Sequence, residues 1–529
     1  MWRWKPDGRP PTWGNGYATA RHGARRIAVT GSVFGAGSAT ADLILDQLTE
    51  HGVAGLRDLD GQFAFVFWDR ESRRLIAGRD RFGGKTLYWQ ENADGLVIAD
   101  RVSALGVGKP RLNVAAAVDF LVNGFTDQDD STLIEGIHQL PPGSVLDLNL
   151  REWTPGAAGP AVREWCPLPA PDTLDLGPDE AAAEFRTRLR AAVRRAAPGA
   201  LLLSGGLDSS AIAAFLPAEP AVPTYKAYFG VPEHDQAEVV AEVVARGGMT
   251  HHRAMVGGAD LMRHRDTLVA ALEVPYERSI IAAHWAVRAR MAEDGVRVSL
   301  DGIGADEQLG GYVPWQRSFA APRRGDHVPG LPFVSTSHPP GHLADPHAHL
   351  GWLAEDLRPV GAEAMRDERF PPIRSFGELC RHHLRFGALP MLLRQNREIG
   401  SAFGQDARSP FLDRSLVDLS IGLGGAHKLV NGHSKQVLRS AVRDLVPPRL
   451  LRRAEKVSYS GLEVAWLLDN SLDRLRAEAD RAAEEWPDLL DPTALRASAA
   501  PSRPDKTTVL RLWRVTCFAA WARIFAVTG

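Results

Sequence analysis

Leu201-Leu202-Leu203-Ser204-Gly205-Gly206-Leu207-Asp208-Ser209-Ser210 is the stretch on which the reading of this 529-residue chain turns. The three leucines, bounded upstream by Pro198-Gly199, read as a short buried strand. A tight turn follows, and Ala211-Ile212-Ala213-Ala214-Phe215 reads as the start of a helix. Gly205 and Gly206 let the backbone approach a bulky anion with no Cβ in the way. Ser204, Ser209 and Ser210 bring hydroxyl donors, and a helix N-terminus adds N–H groups and a favourable dipole. A turn of this kind cradles phosphate, and Asp208 inside it can hold the metal that accompanies phosphates. Two glycines alone would be an ordinary strand-to-helix turn; the seven-residue string behind an apolar strand is more specific.

No Gly-Lys-Ser/Thr follows the glycines, so this is not a Walker loop. The string Ser204–Ser210 resembles instead the pyrophosphate loop of ATP pyrophosphatases, which release PPi and leave an AMP ester. Around it, Asp179–Arg195 has helical spacing and Thr224–Phe229 reads as a strand. Ala237–Arg246 and Ala282–Met291 read as helices, and Val296–Leu300 as a buried strand. Alternating strands and helices imply a parallel sheet whose ligands sit at the C-terminal strand ends. Asp301-Gly302-Ile303-Gly304-Ala305-Asp306-Glu307 follows the last of these strands. It should face the same cleft as the phosphate turn, with Asp208 and Asp306 as a carboxylate pair suited to magnesium. His251-His252 reads as a hydrogen-bonded or solvated pair rather than a metal site.

The first ~150 residues are mostly strand and turn. Gly61–Asp69 alternates small and large apolar groups, a charged turn follows at Arg70–Arg74, and Leu75–Asp80 reads as its partner, a hairpin with one buried face. Arg81–Trp89, Leu96–Asp100 and Ile134–Gly143 continue the region. These stretches, followed by the phosphate loop, resemble asparagine synthetases over most of the chain and in the same order. The implied fold class is α/β with two domains. The first is an N-terminal antiparallel β-sandwich with helices, glutaminase-like (Ntn-type), over 1–153. A Pro- and Gly-rich linker spans 154–178. A parallel-sheet ATP-pyrophosphatase domain with a helical C-terminal part spans 179–529.

That resemblance assigns ATP and Mg2+ as cofactors. ATP and PPi would be bound by Leu203, Ser204, Gly205, Gly206, Leu207, Asp208, Ser209, Ser210 and Gly302, with adenine between Leu203 and Gly302. Asp208 and Asp306 would be the magnesium ligands. Lys456, in Leu451-Arg452-Arg453-Ala454-Glu455-Lys456, matches the essential synthetase lysine, which stabilises charge at phosphorus and at the acyl oxyanion. Gly432–Arg439 matches the family's Lys-x-x-Leu-Arg helix. Arg397-Glu398 stands where relatives carry Asp-Arg, and Asp406 where they carry Glu; either acid is a candidate base. Leu510–Phe525, with Trp513, Phe518 and Trp521, reads as a helix packed on the core.

Two departures decide the expected reaction. Glutaminases of this kind use a cysteine directly after the initiator Met, as nucleophile with its freed α-amine as base; here that position is Trp2, and the first cysteine is Cys166. Glutamine hydrolysis is therefore not expected. Relatives without that cysteine include β-lactam synthetases and lasso-peptide cyclases, which use an amine within the substrate. β-Lactam-forming relatives have a tyrosine one residue after the position of Gly302, and glutamine-dependent asparagine synthetases a glutamate; Ile303 matches neither. The expectation is a lasso-peptide cyclase that adenylates an Asp or Glu side chain and closes a macrolactam on the peptide's N-terminal amine. Its partners would be a precursor core peptide as substrate, with a leader peptidase and a leader-binding protein. The alternatives are an asparagine-synthetase-like enzyme using free ammonia or a small amine, β-lactam-synthetase-like ring closure, and a binding protein on an inactive synthetase fold. The 316–347 stretch, rich in Pro, Gly and His, reads as a substrate-covering loop.

Composition agrees with a multidomain globular chain: 44% hydrophobic and 24% charged residues, net charge −2. That balance gives no electrostatic case for nucleic acid or a membrane surface. Cys166, Cys380 and Cys517 form no metal or redox motif. There is no signal-peptide pattern and no membrane-length apolar run, so a cytoplasmic location is expected.

Overall fold

The computed structural model of the chain describes residues 2–5, 12–14, 16–92, 95–127, 129–156, 159–196, 199–312, 350–365, 373–454 and 457–529. The chain divides into two units. The first is Met1–Arg111 with Asp127–Pro169, the second Leu112–Thr126 with Ala170–Gly529.

The strands of the first unit are β1 (Trp2–Trp4), β2 (Thr12–Trp13), β3 (Ala18–His22), β4 (Arg25–Val33), β5 (Gly61–Asp69), β6 (Arg74–Arg79), β7 (Tyr88–Asn92), β8 (Gly95–Ala99), β9 (Ile137–Gln139), β10 (Ser144–Asn149) and β11 (Ala161–Glu164). They form two sheets, ordered β2-β1-β8-β7-β9 and β11-β10-β6-β5-β4-β3, with antiparallel pairing throughout. The expected hairpin is β5 with β6, Ala64 opposite Arg79 through Asp69 opposite Arg74. The expectation of one buried face is corrected. Ala64, Val66 and Trp68 pack with Trp2, Trp4, Trp89 and Ile98 between the sheets. Phe63, Phe65 and Phe67 point the other way and pack with Ile44, Leu45 and Leu48 of the helix Thr40–His51. A period of two sends alternate side chains to opposite faces, and both faces of β5 are covered.

The second unit is built on β12 (Leu201–Leu202), β13 (Thr224–Tyr228), β14 (His251–Met255), β15 (Val298–Leu300) and β16 (Asp406–Arg408), all parallel, in the order β14-β13-β12-β15-β16. Leu201 pairs with Thr224 on one side and Leu300 on the other. The order therefore reverses at β12, which opens a crevice at its C-terminal end. The helix Pro178–Arg195 buries Ala181, Phe185, Leu189 and Val193, a stripe at helical spacing, against the core that holds Leu201, Leu203 and Leu300. The C-terminal helix Lys506–Ile524 is buried nearly all round and packs on Ser460–Glu485. No described helix is long and apolar enough to cross a membrane.

The division differs from the boundaries read in the sequence at two places. Residues 161–164, inside the expected linker, form β11 and pair with β10, and the Trp165 indole donates to the Arg79 carbonyl at 3.0 Å. The helix Val114–Asn123 belongs to the second unit, where the Arg514 guanidinium donates to the Val122 carbonyl at 2.6 Å. Backbone hydrogen bonding overrides composition at the first place. At the second, an apolar helix packs away from the unit that surrounds it in sequence.

Candidate active site

The phosphate turn leaves the C-terminal end of β12, the central strand. Gly205 has φ +83°, open only to residues that tolerate a left-handed backbone, and a Cβ there would stand 3.2 Å from Val240 Cγ2. The hydroxyls divide their work. Ser209 Oγ accepts from the Ser204 N–H at 3.2 Å, and Ser210 Oγ donates to the Gly206 carbonyl at 2.8 Å. Both serines are buried, so they brace the turn from within, while Ser204 is exposed at its crest. The Leu203 side chain is fully buried in the core. No part of that side chain presents a surface to the crevice. Leu207 is committed to the same core.

The second signature leaves β15. Gly302 is in contact with the phosphate turn: a Cβ there would lie 3.1 Å from Asp208 Cβ and 3.5 Å from Ser209 N. Gly304 has φ +97°, and its N–H donates to Glu307 Oε2 at 3.1 Å. Gln308 ties the turn down by donating to the Gly304 and Phe411 carbonyls at 2.9 and 2.7 Å. The helix Ala305–Leu309 then carries Asp306 toward Asp208.

Between the two carboxylates stands Lys435. Its ammonium is 2.7 and 2.6 Å from Asp208 Oδ1 and Oδ2, and 2.6 Å from Asp306 Oδ1. Lys435 is 6% exposed, so these charges meet largely out of water. It sits at φ +59° at the head of the helix Gln436–Ala441. Four residues on, Arg439 donates to the carbonyls of Ser434, Leu450, Leu451 and Arg453, binding this turn to the segment after it. Gly311 completes the pocket: a Cβ there would lie 1.8 Å from Asp306 Oδ1 and 2.7 Å from Lys435 Cε. The Lys-x-x-Leu-Arg match pointed to this segment, but not to Lys435 as a site residue.

A buried network supports the turn after β15. Asp301 Oδ1 accepts from the Ile303 N–H at 3.0 Å and from Ser409 Oγ at 2.7 Å, and Oδ2 accepts from Asn396 Nδ2 at 2.6 Å. Asn396 Oδ1 in turn accepts from Arg288 at 2.6 Å, and Arg288 also bonds Ser299 and Gln405. Burial pushes the Arg288 guanidinium down to about 10, with Asp301 and Asp406 pulling it back up. Burial likewise raises the Asp301 carboxyl, against the lowering effect of Ser409 and the Ile303 N–H. On the other side of β12, Lys226 is buried and donates to the Ser204 carbonyl at 2.8 Å, holding the turn from behind.

Of the two acids considered as bases, Asp406 lies away from the strand ends that carry the site. Asp406 pairs with Val298, at the N-terminal end of β15, whereas the site lies at its C-terminal end; its carboxylate accepts from Arg408 at 2.8 Å. Glu398 is buried and paired with Arg397. His251 is hydrogen-bonded to Thr224 and Tyr228, and His252 lies 3.2 Å from Asp294. Lys456 and the 316–347 stretch lie outside the described residues.

Residues 184–523 match the family model described as asparagine synthase, and residues 25–156 match that of a glutamine amidotransferase domain. The chain belongs to the asparagine synthase family. Its relatives include a putative glutamine-hydrolyzing asparagine synthetase of Mycobacterium tuberculosis, 26% identical over 94% of this chain and 81% of that protein. Glutamine-hydrolyzing asparagine synthetase 3 of Bacillus subtilis is 24% identical over 75% of this chain and 66% of that protein. Amidase chry2 of Gibberella zeae is 27% identical over 60% and 49%. As an asparagine synthase family member the chain is an ATP-dependent ligase that forms carbon–nitrogen bonds. The antiparallel unit contains most of the amidotransferase match, and the parallel-sheet unit contains the whole of the synthase match.

Proposed function

We propose that this ligase is a lasso-peptide cyclase. It activates an Asp or Glu side chain of a core peptide as the acyl-adenylate and joins it to the peptide's own N-terminal amine. A carboxylate oxygen attacks the α-phosphorus of ATP and PPi leaves. The amine then attacks the acyl carbon, AMP leaves, and the nitrogen loses its proton.

The missing thiol carries this reading. The chain has three cysteines, all buried and without disulfides, at 166, 380 and 517. The first strand of the amidotransferase-like unit offers Trp2, Arg3 and Trp4, and Trp2 is 1% exposed in the core between the sheets. Beside it lies a small cavity lined by Thr30, Ala64, Leu87 and Asp100, where the Tyr17 hydroxyl donates to Asp100 at 2.6 Å. An indole has no lone pair free to attack an amide, so the amine must come from elsewhere. Ile303, partly exposed beside Gly302, does no proton chemistry. A peptide α-amine, with an ordinary pKa of about 7.7–8.0, keeps a neutral fraction of roughly a tenth near pH 7 and needs less help from a base than a more basic amine would.

The residues fit the magnesium–nucleotide complex: two carboxylates from neighbouring strand ends converge, and glycines stand where a Cβ would fill the space. Asp208 and Asp306 would hold the metal, which supplies charge neutralisation at the departing pyrophosphate. The brace of Ser209, Ser210 and Lys226 fixes the turn that receives the phosphates. Holding a prefolded peptide raises its effective molarity and keeps water from the adenylate. The precursor peptide, a leader peptidase and a leader-binding protein are its proposed partners.

The test is mass spectrometry of one mixture of enzyme, ATP, Mg2+ and leaderless core peptide, with aspartate and ammonia as competitors. Loss of one water from the peptide, with AMP and PPi formed, is the expected result, and Asp208→Asn should abolish it. Asparagine formed while the peptide stays untouched would overturn the reading. Similarity to asparagine synthetases over 94% of the chain favours that second reading, an ammonia-using synthetase.

A further inference from the structure

We infer that Lys435 makes metal binding conditional on the triphosphate, because its ammonium already occupies the carboxylate oxygens a divalent cation would use. The inference rests on the proposal that Asp208 and Asp306 are the metal's ligands. Three contacts of 2.6–2.7 Å join Lys435 to both acids, and the Lys435 and Asp306 side chains are 7% and 11% exposed. A free divalent ion would have to displace the ammonium, or bind beside it and suffer cation–cation repulsion where water screens poorly. Mg2+ also gives up its water shell reluctantly. A triphosphate changes the balance: its negative charge offers the ammonium a second partner and frees carboxylate oxygens for the ion that arrives with it.

The positions around Lys435 bear on the same point. Gly311 leaves just enough room for the Lys435 stem beside Asp306. Arg439 anchors the turn to four backbone carbonyls, so the ammonium can shift while the backbone that carries it stays in place. The arrangement keeps the acids from repelling each other and ties metal entry to substrate entry.

The experiment measures Mn2+ uptake by the full chain, by electron paramagnetic resonance of the free ion, with and without α,β-methylene-ATP. The wild-type protein should take up Mn2+ with the analogue and not without it. Lys435→Met should take up one Mn2+ with no nucleotide, at least about tenfold more tightly than wild type. Adding Asp306→Asn to that variant should remove the site, and Lys435→Arg should behave as wild type. Equal Mn2+ affinity of wild type and Lys435→Met without nucleotide would overturn the inference. Should Lys435→Met fail to fold, the wild-type measurement decides alone: uptake as tight without the analogue as with it overturns the inference, and analogue-dependent uptake supports it. PPi release with core peptide is read separately, so a failed inference with PPi release intact leaves the proposed function standing.

Discussion

Gly311 shows how narrow the tolerances of the site are. A methyl group there would fall 1.8 Å from Asp306 Oδ1, and the carboxylate or the Lys435 stem would have to move. Gly311→Ala should therefore lower kcat for PPi release by roughly 100-fold, the scale of an ångström-sized misplacement, with a smaller effect on the unfolding midpoint. Lys226 gives a pH signature. Burial holds its ammonium down to about 8 against the usual 10.5, with Asp235 opposing. The unfolded chain regains the higher value. Below about pH 8 both states are protonated and the folded state carries the whole cost; between there and 10.5 the unfolded chain binds more proton, so stability from this group rises with pH. Lys226→Met should flatten that rise, seen by comparing thermal unfolding midpoints of the two proteins across the window.

At the scale of elements, the turn after β15 depends on groups from three other segments. Asn396, on the helix Ala388–Ala402, is the hydrogen-bonded bridge between a buried cation, Arg288, and a buried anion, Asp301. Asn396→Ala leaves both facing a gap. Hydrogen bonds to charged groups contribute about 1.5–3 kcal/mol, and buried charges left without them cost at least that. The variant should lose about 2–3 kcal/mol in urea unfolding and release PPi more slowly, because Asp301 orients the Ile303 N–H. Leucine or isoleucine at 396 should be no better, since neither restores a donor and an acceptor together.

For the whole molecule, the boundary between units is not where the sequence composition changes. The helix Val114–Asn123 lies in sequence among residues of the first unit but packs on Arg358–Ala364 and Lys506–Ile524 of the second. Its C-terminal carbonyls take the Arg514 guanidinium, which burial holds down to about 10. A fragment of residues 170–529 leaves Arg514 without that acceptor and exposes the apolar face of the C-terminal helix. It should be insoluble or lack the cooperative unfolding transition expected of the full chain; expression followed by circular dichroism on heating checks this. A cut at the apparent linker is thus expected to fail for a specific reason, an uncovered helix face and a buried cation stripped of its carbonyl acceptors.

The local chemistry was legible in the chain itself. A Ser-Gly-Gly-Leu-Asp-Ser-Ser string behind three leucines, and Asp306 after a second short strand, specify turns at strand ends because apolar runs, glycines and hydroxyls act over a few residues. Alternating strands and helices were enough for the parallel sheet, and the alternation in β5 for its pleat. Tertiary structure decided the rest. Whether one face of β5 or both would be buried depends on what packs there. Leu203 and Leu202 look alike in sequence, but the core claims Leu203 completely. Lys435 lies 227 residues from Asp208, in a segment whose Lys-x-x-Leu-Arg pattern marked a family helix but not what its lysine would touch. An ion pair is made by the convergence of β12, β15 and a turn far along the chain, and no local pattern encodes a distance between segments that only the packed sheet brings together.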